Sequence, residues 1–175
     1  MIKIVLITLA VLVAGVLLAA AARPDVFRVE RAASIKAPPE KIFAAINDFG
    51  RWAAWSPYEK KDPAMKRTRS GPASGKGAVY AWEGNNEVGA GRMEITDSSA
   101  PARVVLNLDF TRPMEAHNVV EFTLEGKGET TKVTWAMRGP VPYVAKIVHL
   151  FFDMDKMVGT DFEAGLANLK TISES

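Results

Sequence analysis

Hydrophobic residues follow three patterns along this chain: one unbroken run, several alternating stretches and one helical stripe. The unbroken run, Ile4–Ala22, contains no charged side chain and begins directly after Lys3. Its length of about 19 residues is enough for a helix to cross the hydrocarbon core of a bilayer. The pattern therefore predicts an N-terminal helix that is separate from the rest of the fold.

The alternating stretches predict β-strands with one apolar and one polar face, because successive side chains of a strand point to opposite sides. The first strand has one exception, since Arg31 shares the apolar face with Phe27 and Val29. The linkers are short and rich in Gly, Asn, Ser and Pro, so consecutive strands are expected to be antiparallel. The predicted strands span residues 27–35, 78–83, 91–97, 103–110, 118–124 and 132–138.

Two short helical segments follow the first predicted strand. Pro38 and Pro39 open the first, since proline suits an initial helical turn. The second is FGRWAAWSP, residues 49–57, and it is expected to be closed by Pro57. Trp52 and Trp55 are three positions apart, so they share one side of a helical turn. The favoured interpretation is an aromatic plug at one end of the sheet, with a pocket rim and a membrane contact as alternatives.

The C-terminal part is also helical. A helix is expected from Pro142 to Val158, with Gly159 as its C-terminal stop. Thr160–Glu163 has the spacing of a capping box and predicts the start of a final helix. Phe162, Leu166 and Leu169 form the apolar stripe of that helix, which should cover the apolar face of the sheet.

The N-terminal run divides the chain into residues 1–24 and a domain of residues 25–175. A retained single-pass membrane anchor through residues 4–22 is favoured, while a cleaved signal peptide and a buried helix are the alternatives. The chain has no cysteine, which excludes a lipoprotein anchor and disulfides. Arginines after the run favour a cytoplasmic domain, whereas the very short N-terminal head favours the opposite side, so the orientation stays open.

The net charge of +2 is too balanced to suggest nucleic-acid binding. One local basic cluster is favoured as a solvated face, with contact to anionic lipid headgroups as the alternative. Its members are Lys60, Lys61, Lys66, Arg67 and Arg69.

Several segments carry a resemblance to a known family: IKAPPEKIFAAINDFGRWAAWSPYE, SGPASGKGAVYAWEGN, VGAGRMEIT, TWAMRG and FFDMDKMVGTDFEAGLANLK. Over roughly residues 27–173 the chain resembles the polyketide cyclase/dehydrase branch of the START/Bet v 1-like (SRPBCC) superfamily. The resemblance implies an α+β helix-grip fold, in which a curved antiparallel sheet wraps a long C-terminal helix. It also implies an apolar cavity between the sheet and that helix.

Residues suited to catalysis are few. Thiol chemistry is excluded, and the two histidines, His117 and His149, have no neighbours at metal-site or catalytic spacing. Neither a metal site nor a cofactor site is expected, and a non-enzymatic role is favoured.

Binding of a lipid or another hydrophobic small molecule is therefore the leading hypothesis, in a membrane-tethered carrier domain. A cyclase or dehydratase on the same fold and a ligand-free envelope interaction module are the alternatives. The residues predicted to line the cavity are Trp55, Tyr80, Trp82, Met93, Phe110, Trp135, Met137, Phe162 and Leu166.

Overall fold

The computed structural model describes residues 1–175 and has an α+β architecture. The helices are α1 (Ile2–Ala21), α2 (Pro39–Ile46), a 3₁₀ helix (Phe49–Ala54), α3 (Pro57–Lys61), α4 (Tyr143–Val148) and α5 (Met154–Glu174). The strands are β1 (Val26–Ile35), β2 (Lys66–Ser70), β3 (Val79–Glu83), β4 (Ala90–Ser99), β5 (Arg103–Arg112), β6 (Ala116–Lys127) and β7 (Thr130–Pro140).

The seven strands form one antiparallel sheet in the order β1-β7-β6-β5-β4-β3-β2. Strands β2 to β7 are a continuous meander, and β1 returns to pair with β7. The six predicted strands are all present, and the basic run contributes the seventh, β2, with every residue exposed. This sheet and the C-terminal helix are consistent with the helix-grip fold.

The register aligns the hydrophobic residues of neighbouring strands into rows on the inner face of the sheet. One row joins Ile95, Leu106, Val120, Met137 and Val29, and all of these are buried. Pairs nearer the start of β1 include Met93 with Leu108 and Gly91 with Phe110. The alternation read from the sequence therefore places these apolar side chains on one face.

Helix α5 covers only part of that inner face. Its first turn lies beside the middle of β1, where Arg31 bonds Asp155, and its last turn lies past the end of β1, where Lys36 N–H donates to Glu174 at 2.7 Å. The rows nearest the start of β1 therefore extend beyond the start of α5. We call this end of the inner face, formed by Trp82, Met93, Leu108 and Phe110, the open pole.

The prediction that a helix stops at Gly159 was wrong. Helix α5 runs through Gly159, and the break lies earlier, at residues 149–153, where the Asp153 side chain caps the new helix by accepting from Lys156 N–H. The Thr160 hydroxyl donates back to the Lys156 carbonyl, so the predicted capping box does not form. The small residue at 159 instead leaves room for the Arg31 guanidinium, which packs directly against it.

The prediction that Pro57 closes the tryptophan segment was also wrong. The 3₁₀ helix ends at Ala54, and Pro57 is the first residue of α3, a position that proline tolerates because its missing N–H has no helical partner. Trp52 and Trp55 are both buried, and their indole N–H groups donate to the carbonyls of Ile46 and Ala45. We call Phe49, Trp52 and Trp55 the aromatic plug.

Helix α1 extends away from the domain. It is long and apolar enough to cross a membrane, and Ala20 is its one buried residue. Length and composition of this kind fit a membrane anchor and a signal sequence alike. Its C-terminal half contacts α4.

Candidate functional site

The nine residues predicted to line a cavity fall into two groups in the structure. Six are buried: Trp55, Tyr80, Trp135, Met137, Phe162 and Leu166. Three are half-buried at the open pole: Trp82, Met93 and Phe110. The residues predicted to line a cavity thus divide into an inner, packed group and an outer, partly accessible group.

The inner part is filled by aromatic rings. Trp135 stacks on Phe162 with ring centroids 4.1 Å apart and planes 10° apart, and Trp55 meets Trp135 edge-on at 5.6 Å. Helix α5 approaches this closely because Gly165 lies over the indole, where an added Cβ would lie 2.6 Å from Trp135 Cζ3. Side-chain packing, rather than open space, occupies this region.

One polar atom in the inner part has no partner. The indole N–H of Trp135 is buried without a hydrogen bond, whereas the indoles of Trp52, Trp55 and Trp82 all donate to backbone carbonyls. Leaving a buried donor unpaired costs about 1–3 kcal/mol, and such groups are uncommon in folded proteins. Trp135 Nε1 is therefore a donor suited to an acceptor that is not part of this chain.

The outer part is an apolar surface on strands β3, β4 and β5. Trp82 and Phe110 meet edge-on with centroids 5.5 Å apart, on either side of Gly91. Gly91 has to be small, because an added Cβ would lie 2.6 Å from the Trp82 ring. Met93 and Leu108 are paired in the next row and are also half-buried. Several large hydrophobic side chains therefore share one partly solvent-accessible face.

A partly buried polar cluster lies beside this surface and was missed from the sequence. The Tyr80 hydroxyl donates to Glu59 at 2.5 Å, and Arg67 donates to the same carboxylate at 2.7 Å. Burial, followed by the Glu59 carboxylate, raises the pKa of Tyr80 well above its usual value. The phenol is therefore neutral over the ordinary pH range. No spacing rule signals this cluster, because its members come from three separate elements.

An ion pair joins the two helices above the sheet. Lys61, at the end of α3, is 2.7 Å from Asp161 of α5. Burial, with a contribution from Asp161, also raises the pKa of the neighbouring Tyr58. This contact fixes the end of α3 to α5.

Two surface concavities lie elsewhere. One, of about 240 Å³, separates α1 from α4, and the other, of about 230 Å³, lies beside Asp48, Arg69 and Gly71. No group of three or more His, Cys, Asp and Glu side chains is placed to hold a metal ion. His117 forms an exposed pair with Asp109 at 2.8 Å.

Comparison with protein families gives one match. The model of the family described as "Polyketide cyclase / dehydrase and lipid transport" matches residues 26–174. The chain belongs to this family. Polyketide cyclase/dehydrase-type folds bind hydrophobic ligands, which agrees with the apolar character of the open pole. No curated protein matches the sequence.

Solved structures share the polyketide cyclase/dehydrase fold at low identity. The Aha1 dimer from Colwellia psychrerythraea is 20% identical with a TM-score of 0.60, covering 85% of this chain and 96% of that one. Ginseng major latex-like protein 151 from Panax ginseng is 12% identical with a TM-score of 0.59, covering 87% and 100%. The di-domain aromatase/cyclase (ARO/CYC) BexL from the BE-7585A biosynthetic pathway is 11% identical with a TM-score of 0.61, covering 90% and 53%. Identities this low establish the fold alone.

Proposed function

We propose that this protein is a membrane-tethered binding or carrier domain for a lipid or another hydrophobic small molecule, held at the open pole. The observation that carries the proposal is the half-burial of Trp82, Met93, Leu108 and Phe110 on one face of the sheet. Exposed apolar surface gains about 25 cal/mol per Å² when it is covered, so an apolar ligand is the chemistry that this face favours.

One polar group of the inner face suits the head of such a ligand. Small-molecule sites are mostly apolar, with a few polar atoms that fix orientation. Trp135 Nε1 is a buried donor without a partner in the inner part, and the buried row of Ile95, Leu106, Val120 and Met137 lies between it and the open pole. An acyl chain or ring that displaces part of the inner packing could present a carbonyl or hydroxyl oxygen to this indole.

Helix α1 is the tether in this proposal. The chain then consists of an anchor, residues 1–24, and a binding domain, residues 25–175. The exposed run of α1 from Ile4 onward, which carries no charge, supports insertion into a bilayer. A carrier held at the membrane surface meets hydrophobic ligands at their source, which is the advantage of the attachment.

A cyclase or dehydratase activity is a second candidate, favoured by the Tyr80–Glu59 contact at 2.5 Å. A phenol hydrogen-bonded to a buried carboxylate is a recurring acid–base arrangement. The cluster is closed, however, because Arg67 occupies the other oxygen of Glu59. The Tyr80–Glu59 contact is therefore better explained as holding α3 onto the sheet than as a proton-transfer pair. The carrier function is accordingly the favoured one.

The test is the ligand content of the purified full chain. We expect organic extraction and mass spectrometry to recover a stoichiometric hydrophobic ligand from the wild-type protein. Leu108→Gln should lose it, whereas Asn107→Gln, on the exposed outer face of the same strand, should retain it. Equal ligand content in both variants, at equal melting temperatures, would contradict binding at the open pole.

A further inference from the structure

The segment after β7 carries an exposed apolar surface that the proposed carrier function does not use. Val144 and Val148 on α4 are 70% and 43% exposed, and Phe151 and Phe152 in the following turn are 71% and 58% exposed. Two adjacent phenylalanines in water are costly, and clusters of this kind mark contact sites. We call residues 143–152 the apolar ledge.

The apolar ledge is packed against α1 at a defined depth. Ile147 faces Leu12, Val13, Val16 and Leu17 across a shallow apolar groove, and the Tyr143 hydroxyl donates to the Leu17 carbonyl at 2.7 Å. At 1.5 Å per residue, Leu17 lies about 6 Å and Leu12 about 14 Å before the helix end at Ala21. If α1 spans a bilayer, the ledge lies at the level of the outer acyl chains.

The positions of the charged groups beside the apolar ledge agree with this depth in the bilayer. Lys146, the one cation of α4, turns away from the apolar side and reaches Asp25 at 2.6 Å, just past the end of α1. Arg23 is exposed at the same point of the chain. Charges at the helix end and apolar side chains along it are typical of an element that lies in the membrane interface.

The open pole is at this same end of the domain. Val26, the first residue of β1, pairs with Pro140, and the ledge begins three residues after Pro140. The β5–β6 turn, which follows Phe110, also lies at this end and exposes Met114. Residues from three parts of the chain thus give this end of the domain an apolar rim.

We propose that the apolar ledge inserts into one leaflet of the bilayer and seats the open pole on the membrane. The inference rests on the proposed function, because it needs α1 to be a retained span. It adds a second membrane contact, through which a ligand reaches the open pole from the acyl-chain region without crossing water. The continuity of the ledge with α1 favours the bilayer over a second copy of the chain as the occupant.

The absence of cysteine allows the test to use single labels on the full chain. Leu9→Cys in α1, Phe152→Cys on the ledge and Glu129→Cys in the β6–β7 turn would each carry a nitrobenzoxadiazole label. Glu129 is exposed at the opposite end of the sheet, because Lys127 pairs with Thr130 there. The labelled proteins are reconstituted into vesicles of phosphatidylcholine and phosphatidylglycerol, with or without chain-brominated phosphatidylcholine.

We expect brominated lipid to quench the labels at positions 9 and 152 several-fold more than the label at position 129. If the label at position 9 is quenched but the label at position 152 is quenched as weakly as the label at position 129, the ledge proposal is overturned and the anchor remains. A blue-shifted label at position 152 without quenching would also overturn it, because protein would then cover the ledge. Equal, weak quenching at all three positions would overturn the anchor and the ledge together. Phe151→Cys repeats the measurement at a neighbouring exposed position.

Discussion

The two ends of the inner face contain the same kinds of residue in opposite states. In the aromatic plug, Phe49, Trp52 and Trp55 are all buried, and Trp52 and Trp55 meet Phe122 edge-on. Both indoles are hydrogen-bonded to carbonyls. The open pole keeps Trp82 and Phe110 only half-buried, although their rings meet in a similar edge-on geometry. The difference is helical cover, since α2, the 3₁₀ helix and α5 pack over one end, and α5 begins short of the other.

The comparison teaches that aromatic content does not distinguish a structural cluster from a binding surface. Both ends look alike in composition, and both were candidates for a ligand site from the sequence. The two ends should differ in how much stability is lost when a ring is removed. Removing a packed ring leaves a cavity, whereas removing a half-buried ring mainly changes the surface. Stability measurements and binding measurements should therefore respond to different ends.

The largest expected effect is the loss of a ring from the plug. Trp55→Ala should destabilise the domain by about 3–5 kcal/mol, because Trp55 is fully buried against Phe122 and Trp135. Trp82→Ala should cost clearly less, because part of that ring already faces solvent. Urea unfolding of the chain from Asp25 onward would measure both, and equal losses would erase the distinction between the two ends.

A smaller effect is expected where α5 crosses the inner packing. Gly165→Ala would normally favour a helix by about 1 kcal/mol. Here the new methyl group meets Trp135, so we expect a net loss of about 1–3 kcal/mol from overpacking. Ala167→Gly, on the exposed side of the same helix, is the matched control and should lose only the helix preference. A stabilised Gly165→Ala variant would show that free space exists beside Trp135.

The smallest effect concerns acid stability at the start of α5. Arg31 holds the pKa of Asp155 below its usual value of 3.8. The lowered pKa means that the folded state releases this proton more readily, so the ion pair contributes above pH 3.8 and its contribution is lost as the pH falls through the lowered pKa.

Asp155→Asn should therefore be less stable than wild type at pH 7 and converge with it in strong acid, measured by unfolding at several pH values. Glu129→Gln, in the exposed β6–β7 turn, should show no such convergence. A gap between Asp155→Asn and wild type that persists unchanged into strong acid would contradict the role of the ion pair.

The strands were predictable from the sequence because alternation depends on local order alone. The break before α5 was not, because Gly159 carries a helix-stop signal that the packing of Arg31 overrides, and the cap at Asp153 is seen only in the structure. Arg31 appeared only as an exception to the alternation of a strand. The structure explains it by its hydrogen bonds to Asp155 and Glu163, which are 124 and 132 residues further along the chain. The partner of Tyr80 was equally invisible, since Glu59 reaches it only through the position of α3.

The division of the predicted lining residues into a packed group and an accessible group could not be predicted from the sequence, for the same reason. Trp82 and Trp135 both occupy apolar positions in alternating strand patterns, and those patterns do not indicate where α5 begins. The helix start decides which of them is covered, and it depends on packing between elements. Residue type and spacing therefore predicted the membership of the inner face, while its accessibility required the structure.

The most direct test of binding at the open pole is quenching of tryptophan emission by a brominated long-chain fatty acid. The chain has four tryptophans, of which Trp82 alone is half-buried at the open pole while the other three are buried. We expect saturable quenching of part of the emission from the chain beginning at Asp25, and we expect Trp82→Phe to remove the quenched part. Quenching that never saturates, or that persists unchanged in Trp82→Phe, would contradict a ligand site at the open pole.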